Sequence, residues 1–144
     1  MHRPEHIGIA VKSLDISIPL FEKLLNTPCY KKEEVTSEQV LTAFFLKNNT
    51  KIELLEGLKD DGVIAKFIEK KGEGIHHIAF EVENIWDEMN RLIAEGFVPL
   101  EKEPARGADN KWICFLHPKQ THGVLIEICQ EIKDKFFSTN SFLR

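Results

Sequence analysis

Two short phrases constrain this chain more than any other feature. Residues 5–11 read EHIGIAV and residues 76–82 read HHIAFEV. Both alternate with the period of a strand, and both place a histidine at the same position, His6 in one and His77 in the other, 71 residues apart. That offset is too long for a solenoid repeat, so the chain is a duplication. Its 144 residues suit one compact domain or two small modules that share a core.

The rest of the chain follows the same order twice. After the first strand, Ser13 opens a helix whose apolar face is Leu14, Ile18, Phe21, Leu24 and Leu25, with Pro19 expected in its first turn or at a distortion. Strands are expected at about 29–35, 40–47 and 50–56, with Asn48-Asn49 as the hairpin turn between the last two. A short amphipathic helix, 63–71, leads to Gly72 and Gly74. Then comes HHIAFEV, a helix capped by Asn84 and stopped at Gly96, and a short strand with Val98 and Leu100. EPARGADN (103–110) reads as a loop, and WICFLHP and GVLIEIC as two final strands. The result is an α+β chain of two βαβββ repeats, about 5–56 and 76–130, joined by the helix 63–71 and followed by a tail, 131–144. Two mixed sheets built this way can pack side by side into a half-open barrel with the helices outside. Ile7, Ile9 and Val11 would then lie under helices, and His6 and His77 would line the concave interior. By alternation His76 points to the opposite face. His117 and His122 belong to the surface or rim, and His2 is terminal.

The last strand of each repeat holds a glutamate among apolar residues. Glu53 stands between Ile52 and Leu54, and Glu127 between Ile126 and Ile128. A carboxylate in such a place is costly to bury unless it is paired or binds a metal. The spacing from histidine to glutamate is 47 residues in one repeat and 50 in the other. The duplication thus supplies His6, Glu53, His77 and Glu127 as two nitrogens and two oxygens about a pseudo-twofold axis. That set suits a divalent ion such as Co, Mn, Ni, Zn or Fe, with positions left open as in catalytic sites.

Composition limits the alternatives. A formal net charge of −4 provides no basic surface for a nucleic acid. No apolar run approaches the roughly 20 residues that cross a bilayer, and MHRPEHIGIAV does not read as a signal peptide. Cys29, Cys114 and Cys129 form no CxxC pattern and read as reduced thiols. The expectation is a cytoplasmic protein with neither a nucleic-acid nor a membrane partner.

At the level of whole phrases, HIGIAVKSL (6–14), NTKIELLEGL (49–58), IAKFIEKKGEGIHHIAFEVENI (64–85) and FLHPKQTHGVLIEIC (115–129) resemble the vicinal-oxygen-chelate superfamily and, within it, the methylmalonyl-CoA epimerases. The likeness spans about residues 5–131 and implies a single domain of this kind over 1–144. It also implies a divalent metal held by His6, Glu53, His77 and Glu127, an acyl-CoA substrate and a homodimer. The implied reaction interconverts (R)- and (S)-methylmalonyl-CoA by removing and returning a proton through a metal-stabilised enolate. Some epimerases carry a separate glutamate on the strand before the first acidic ligand, and here that position is Thr42, which cannot act as a base. The acid–base work therefore falls to Glu53 and Glu127. Lys119, Arg106 and Lys111 read as loop cations, solvated by default though able to meet phosphates. Phe44, Phe45 and Phe115 are core residues that can also line a pocket. The alternatives are a glyoxalase I-like lactoylglutathione lyase, an iron-dependent dioxygenase, which the second carboxylate disfavours, and a metal-free binding protein, which has no need of two buried glutamates. Phe136, Phe137, Phe142 and Leu143 in the tail are expected at a dimer interface.

Overall fold

The structure, a computed structural model, describes residue 1 and residues 3–133. His2 and the tail residues Phe136, Phe137, Phe142 and Leu143 lie outside the described residues. The first repeat runs β1 (Arg3–Ala10), α1 (Leu14–Leu25), β2 (Lys31–Val35), β3 (Val40–Lys47) and β4 (Thr50–Gly57). Helix α2 (Val63–Lys71) joins it to β5 (Gly74–Glu81), α3 (Ile85–Ala94), β6 (Ala105–Gly107), β7 (Lys111–Leu116) and β8 (Ile126–Glu131). The strands form one eight-stranded sheet in the order β2-β3-β4-β1-β5-β8-β7-β6. Each half contributes four adjacent strands in matching order, and the halves meet where β1 and β5 pair antiparallel.

The duplication extends to register. Glu53 lies beside Gly8 of β1 and Phe44 of β3, and Glu127 lies beside Ala79 of β5 and Phe115 of β7. The cores match in the same way. Val11, Leu14, Ile18, Ala43, Phe45 and Leu54 pack under α1. Val82, Ile85, Met89, Leu92, Cys114, Leu116 and Ile128 pack under α3. Helix α2 sits on the other face. Leu54 belongs to the α1 core, whereas its neighbour Leu55 joins Ala10, Val35, Val40 and Ile64 of α2. Successive residues of a strand point to opposite faces, so α2 packs against the concave side of the sheet.

Local expectations hold where a pattern or a cap is strong. Helix α2 has the bounds read from sequence, Asn84 Oδ1 accepts from Asp87 N at 3.1 Å, and Asn48 takes φ 56° in the β3–β4 turn. Three expectations are corrected. Pro19 lies in the second turn of a continuous α1, and Ser13 makes no side-chain cap. The first-turn N–H of Leu14 is instead met by Glu56 Oε1 at 2.6 Å. The alternation at Val98 and Leu100 yields only a single bridge, Pro99 with Leu116. The edge strand falls later, at β6, inside the segment read as a loop, because pairing with β7 makes it a strand rather than any pattern of its own.

The two edges of the sheet approach one another through side chains. Asp109, in the turn after β6, accepts from Lys31 Nζ of β2 at 2.9 Å and from Lys51 Nζ of β4 at 2.7 Å. Its own N–H donates to Glu33 Oε1 of β2 at 2.9 Å. The gap in the half-open barrel is thus bridged by an ionic seam rather than by a backbone ladder.

Candidate metal centre and active-site cavity

His6 and Glu53 come from the adjacent strands β1 and β4, and His77 and Glu127 from the adjacent strands β5 and β8. All four are buried, with exposures of 6%, 5%, 4% and 4%. His6 Nε2 lies 3.0 Å from His77 Nε2, 3.1 Å from Glu53 Oε2 and 3.7 Å from Glu127 Oε2. His77 Nε2 lies 3.3 Å from Glu127 Oε1. The chain therefore brings together the four residues that its sequence pairs. His6, His77 and Glu127 offer ligand atoms all within 4.8 Å of one another, and Glu53 adjoins this set through His6. The spacing fits a divalent ion: two ligand atoms at right angles, each about 2.1 Å from a metal, lie about 3.0 Å apart.

Gly8 makes room for this arrangement. It faces His77 across the β1–β5 pair, and a Cβ there would overlap the imidazole ring. The matching position, Ala79, faces His6 and keeps its methyl group.

Electrostatics follow from burial. The Glu53 and Glu127 carboxyls are pushed up to about 7 and about 8, chiefly by loss of solvent. Burial alone would lower His6, but the surrounding carboxylates, Glu127 foremost, raise it to about 9. His77 is held well below its ordinary value by burial and by the neighbouring His6 and His76. These groups line a cavity of about 440 Å³, walled by both repeats and by α2. Phe44 and Phe115 line it symmetrically, whereas Phe45 faces the α1 core.

Two participants were hidden from sequence reasoning. Glu5 is 2% exposed, and its carboxylate accepts from His6 Nδ1 at 2.8 Å and from Lys51 Nζ at 2.8 Å. Burial would raise the Glu5 carboxyl, but the bonds from His6 and Lys51 more than offset this and hold it at about 2. Lys111, expected as a loop cation, is 7% exposed on β7 with Nζ 3.9 Å from Glu5 Oε2. A buried carboxylate offsets its charge, which is how a lysine is tolerated there. His76 is the other correction. Strand alternation would turn it away from His77, yet its Nδ1 lies 3.0 Å from His77 Nδ1 and its ring lines the same cavity. The cause is a bulge: Gly8 pairs with His77 and Ile9 with Ile75, so His76 is the extra residue.

The other sequence candidates lie apart from this centre. Thr42 is fully buried, and its hydroxyl donates to the Glu33 carbonyl at 2.9 Å. Arg106 stacks over the Trp112 ring, 5.5 Å from its centroid, and Lys119 is exposed. His117 accepts from Lys119 N at 3.2 Å, and His122 is an exposed turn residue. Among the described residues, no helix is long and apolar enough to cross a membrane.

Comparison with known proteins places this geometry. Residues 5–115 match the family model for the glyoxalase/bleomycin resistance protein/dioxygenase superfamily. An uncharacterised Bacillus subtilis protein, YqjC, is 36% identical over 135 residues, covering 94% of this chain and 96% of that protein. The ethylmalonyl-CoA/methylmalonyl-CoA epimerase of Cereibacter sphaeroides is 38% identical over 130 residues, covering 89% of this chain and 97% of its own. A Streptomyces coelicolor methylmalonyl-CoA epimerase variant, solved in complex with 2-nitronate-propionyl-CoA, superposes with a TM-score of 0.88 at 31% identity over 91% of this chain and 95% of that one. The duplicated halves, the shared cavity between them and the matched family together make this chain a member of the glyoxalase/bleomycin resistance protein/dioxygenase superfamily.

Proposed function

We propose that this chain is a metal-dependent epimerase that interconverts (R)- and (S)-methylmalonyl-CoA. The observation that carries the reading is a pair of buried glutamates, one from each half, that reach His6 Nε2 at 3.1 and 3.7 Å in one cavity. The relatives named as epimerases supply the substrate class. His6, His77, Glu127 and Glu53 would hold the ion. A divalent ion supplies Lewis-acid stabilisation for negative charge that builds on a carbonyl oxygen.

The chain's own residues account for inversion. Removal of the α-proton leaves a planar carbon, and inversion requires that a proton return from the opposite face. Two carboxylates on separate strands serve both faces, one taking the proton and the other delivering it. Without an ion, burial raises both carboxyls above their ordinary value, and a bound cation would favour their charged, proton-accepting form. Thr42 offers no base, because its hydroxyl is already committed to Glu33. The expectations of a homodimer and of a cytoplasmic location go with this reading. They rest on the resemblance and on the three free cysteines.

The test is deuterium wash-in at the α-carbon of (S)-methylmalonyl-CoA in D₂O, with loss of optical purity followed in parallel. Wash-in should stop on chelation and return with a divalent ion. Glu53→Gln should slow it by about 10²- to 10⁴-fold while metal is still bound. Near-normal turnover of that variant would overturn the two-glutamate mechanism. Turnover of methylglyoxal with glutathione, without wash-in, would move the chain to glyoxalase I chemistry.

A further inference from the structure

We infer that Glu5 and His76 are matched positioning residues, each placed by a β-bulge to hold Nδ1 of the following histidine so that both Nε2 atoms face one centre. The inference rests on the reading that a divalent ion sits between His6 and His77.

Regular alternation would put Glu5 and His76 on the face away from the cavity. Both escape it in the same way. In the β1–β5 pair, Pro4 faces Phe80 and His6 faces Ala79, so Glu5 is left as an extra residue. Three residues further along β1, Gly8 faces His77 and Ile9 faces Ile75, so His76 is left over on the other strand. A bulge re-aims a side chain at the cost of one ladder position. Here two bulges, one on each central strand, fall on equivalent residues of the duplication.

The outcome is equivalent although the chemistry differs. Glu5 Oε1 meets His6 Nδ1 at 2.8 Å, and His76 Nδ1 meets His77 Nδ1 at 3.0 Å. With each Nδ1 engaged, the two Nε2 atoms approach to 3.0 Å. A histidine that binds a metal through Nε2 carries its proton on Nδ1 and donates it to a neighbour, which fixes tautomer and ring orientation. His6 can donate to a carboxylate. His77 can donate to the bare Nδ1 of His76, whose own proton then resides on Nε2. His76 is steadied in turn by an edge contact with Phe67 of α2, with ring centroids 4.9 Å apart.

The two halves are therefore alike in geometry and unlike in strength. His6 leans on an anion that Lys51 holds from the far side. His77 leans on a neutral ring. An anionic acceptor makes its histidine the more electron-rich ligand.

The test uses the full-length, untagged protein and Co²⁺. Binding is measured by calorimetry against a competing chelator, and the visible spectrum of the bound ion reports ligand geometry. Wild type should bind one ion per chain. His76→Phe, which keeps a ring but loses the nitrogen, should bind 10- to 100-fold more weakly with a shifted spectrum. His76→Asn, whose side-chain oxygen can accept the same proton, should recover affinity to within about threefold. A folded His76→Phe with wild-type affinity and spectrum overturns the inference and leaves the metal reading intact. No binding by wild type overturns the metal reading itself. Should His76→Phe not fold, ¹⁵N spectra of the wild-type imidazoles with Zn²⁺ decide the matter. A His77 Nδ1 proton protected from exchange supports the inference, and a freely exchanging one overturns it.

Discussion

Gly8 shows how a single absent methyl group can govern a site. It lies on β1 directly across from His77, and its missing Cβ is the space that the His77 ring occupies. Gly8→Ala must push that ring or part the two central strands, and overpacking of this kind costs about 1–3 kcal/mol. We expect the variant to lose that much in a urea unfolding experiment and to bind a divalent ion at least about tenfold more weakly, since its ligand is displaced. Wild-type affinity in Gly8→Ala would show that His77 is not held in this place. Nothing in the sequence marks Gly8 out, because the space it leaves is filled by a residue 69 positions away. His6, His77, Glu53 and Glu127 were legible because the duplication supplies one histidine and one glutamate twice. Glu5, His76 and Lys111 were not. The first two owe their placement to bulges, and the third to the buried Glu5 carboxylate beside it.

Among the elements, the seam between β2 and β6 deserves an experiment of its own. Burial would raise the Asp109 carboxyl, but hydrogen bonds from Lys51 and Lys31 hold it below its ordinary 3.8. A group depressed by folding stabilises the native state fully above its unfolded value, and that stabilisation is lost as pH falls through the native value. Asp109→Asn should therefore lower stability by about 0.5–1 kcal/mol at pH 7, since solvent screens a partly exposed group. The gap to wild type should hold steady down to about pH 4 and close below 3.8. Urea titrations of both proteins from pH 7 to pH 2.5 check this, and a gap that persists at low pH would mean that the seam acts by shape rather than charge. Sequence reasoning found the long strands and the three helices because their periodicity is strong. It missed β6, whose ARG segment carries no pattern, and over-read Val98 and Leu100, whose alternation has almost nothing to pair with.

For the molecule as a whole, an ion at this centre would join both halves of the chain. The proposed ligands lie on four central strands of the sheet, two from each repeat. The unfolded chain cannot gather them, so binding should act as folding energy. At a free ion concentration 100 times Kd, stability should rise by about 2.7 kcal/mol, which for a chain of this size is a Tm increase of roughly 10 °C. Thermal unfolding with and without Co²⁺ or Mn²⁺, followed by chelation, measures it. A Tm that does not respond to either ion would count against the centre.

By itself the sequence determined the duplication, the order of elements and the four residues that meet between the halves. Those follow from periodicity and repetition, which are properties of the chain read along its length. Tertiary structure alone decided which neighbours hold those residues: the carboxylate and the imidazole at the two Nδ1 atoms, the gap at Gly8, and the ionic seam that closes the barrel. Each of these depends on register between strands far apart in the chain. A shift of one residue in register moves a side chain from one face to the other, and no local pattern records where such a shift occurs.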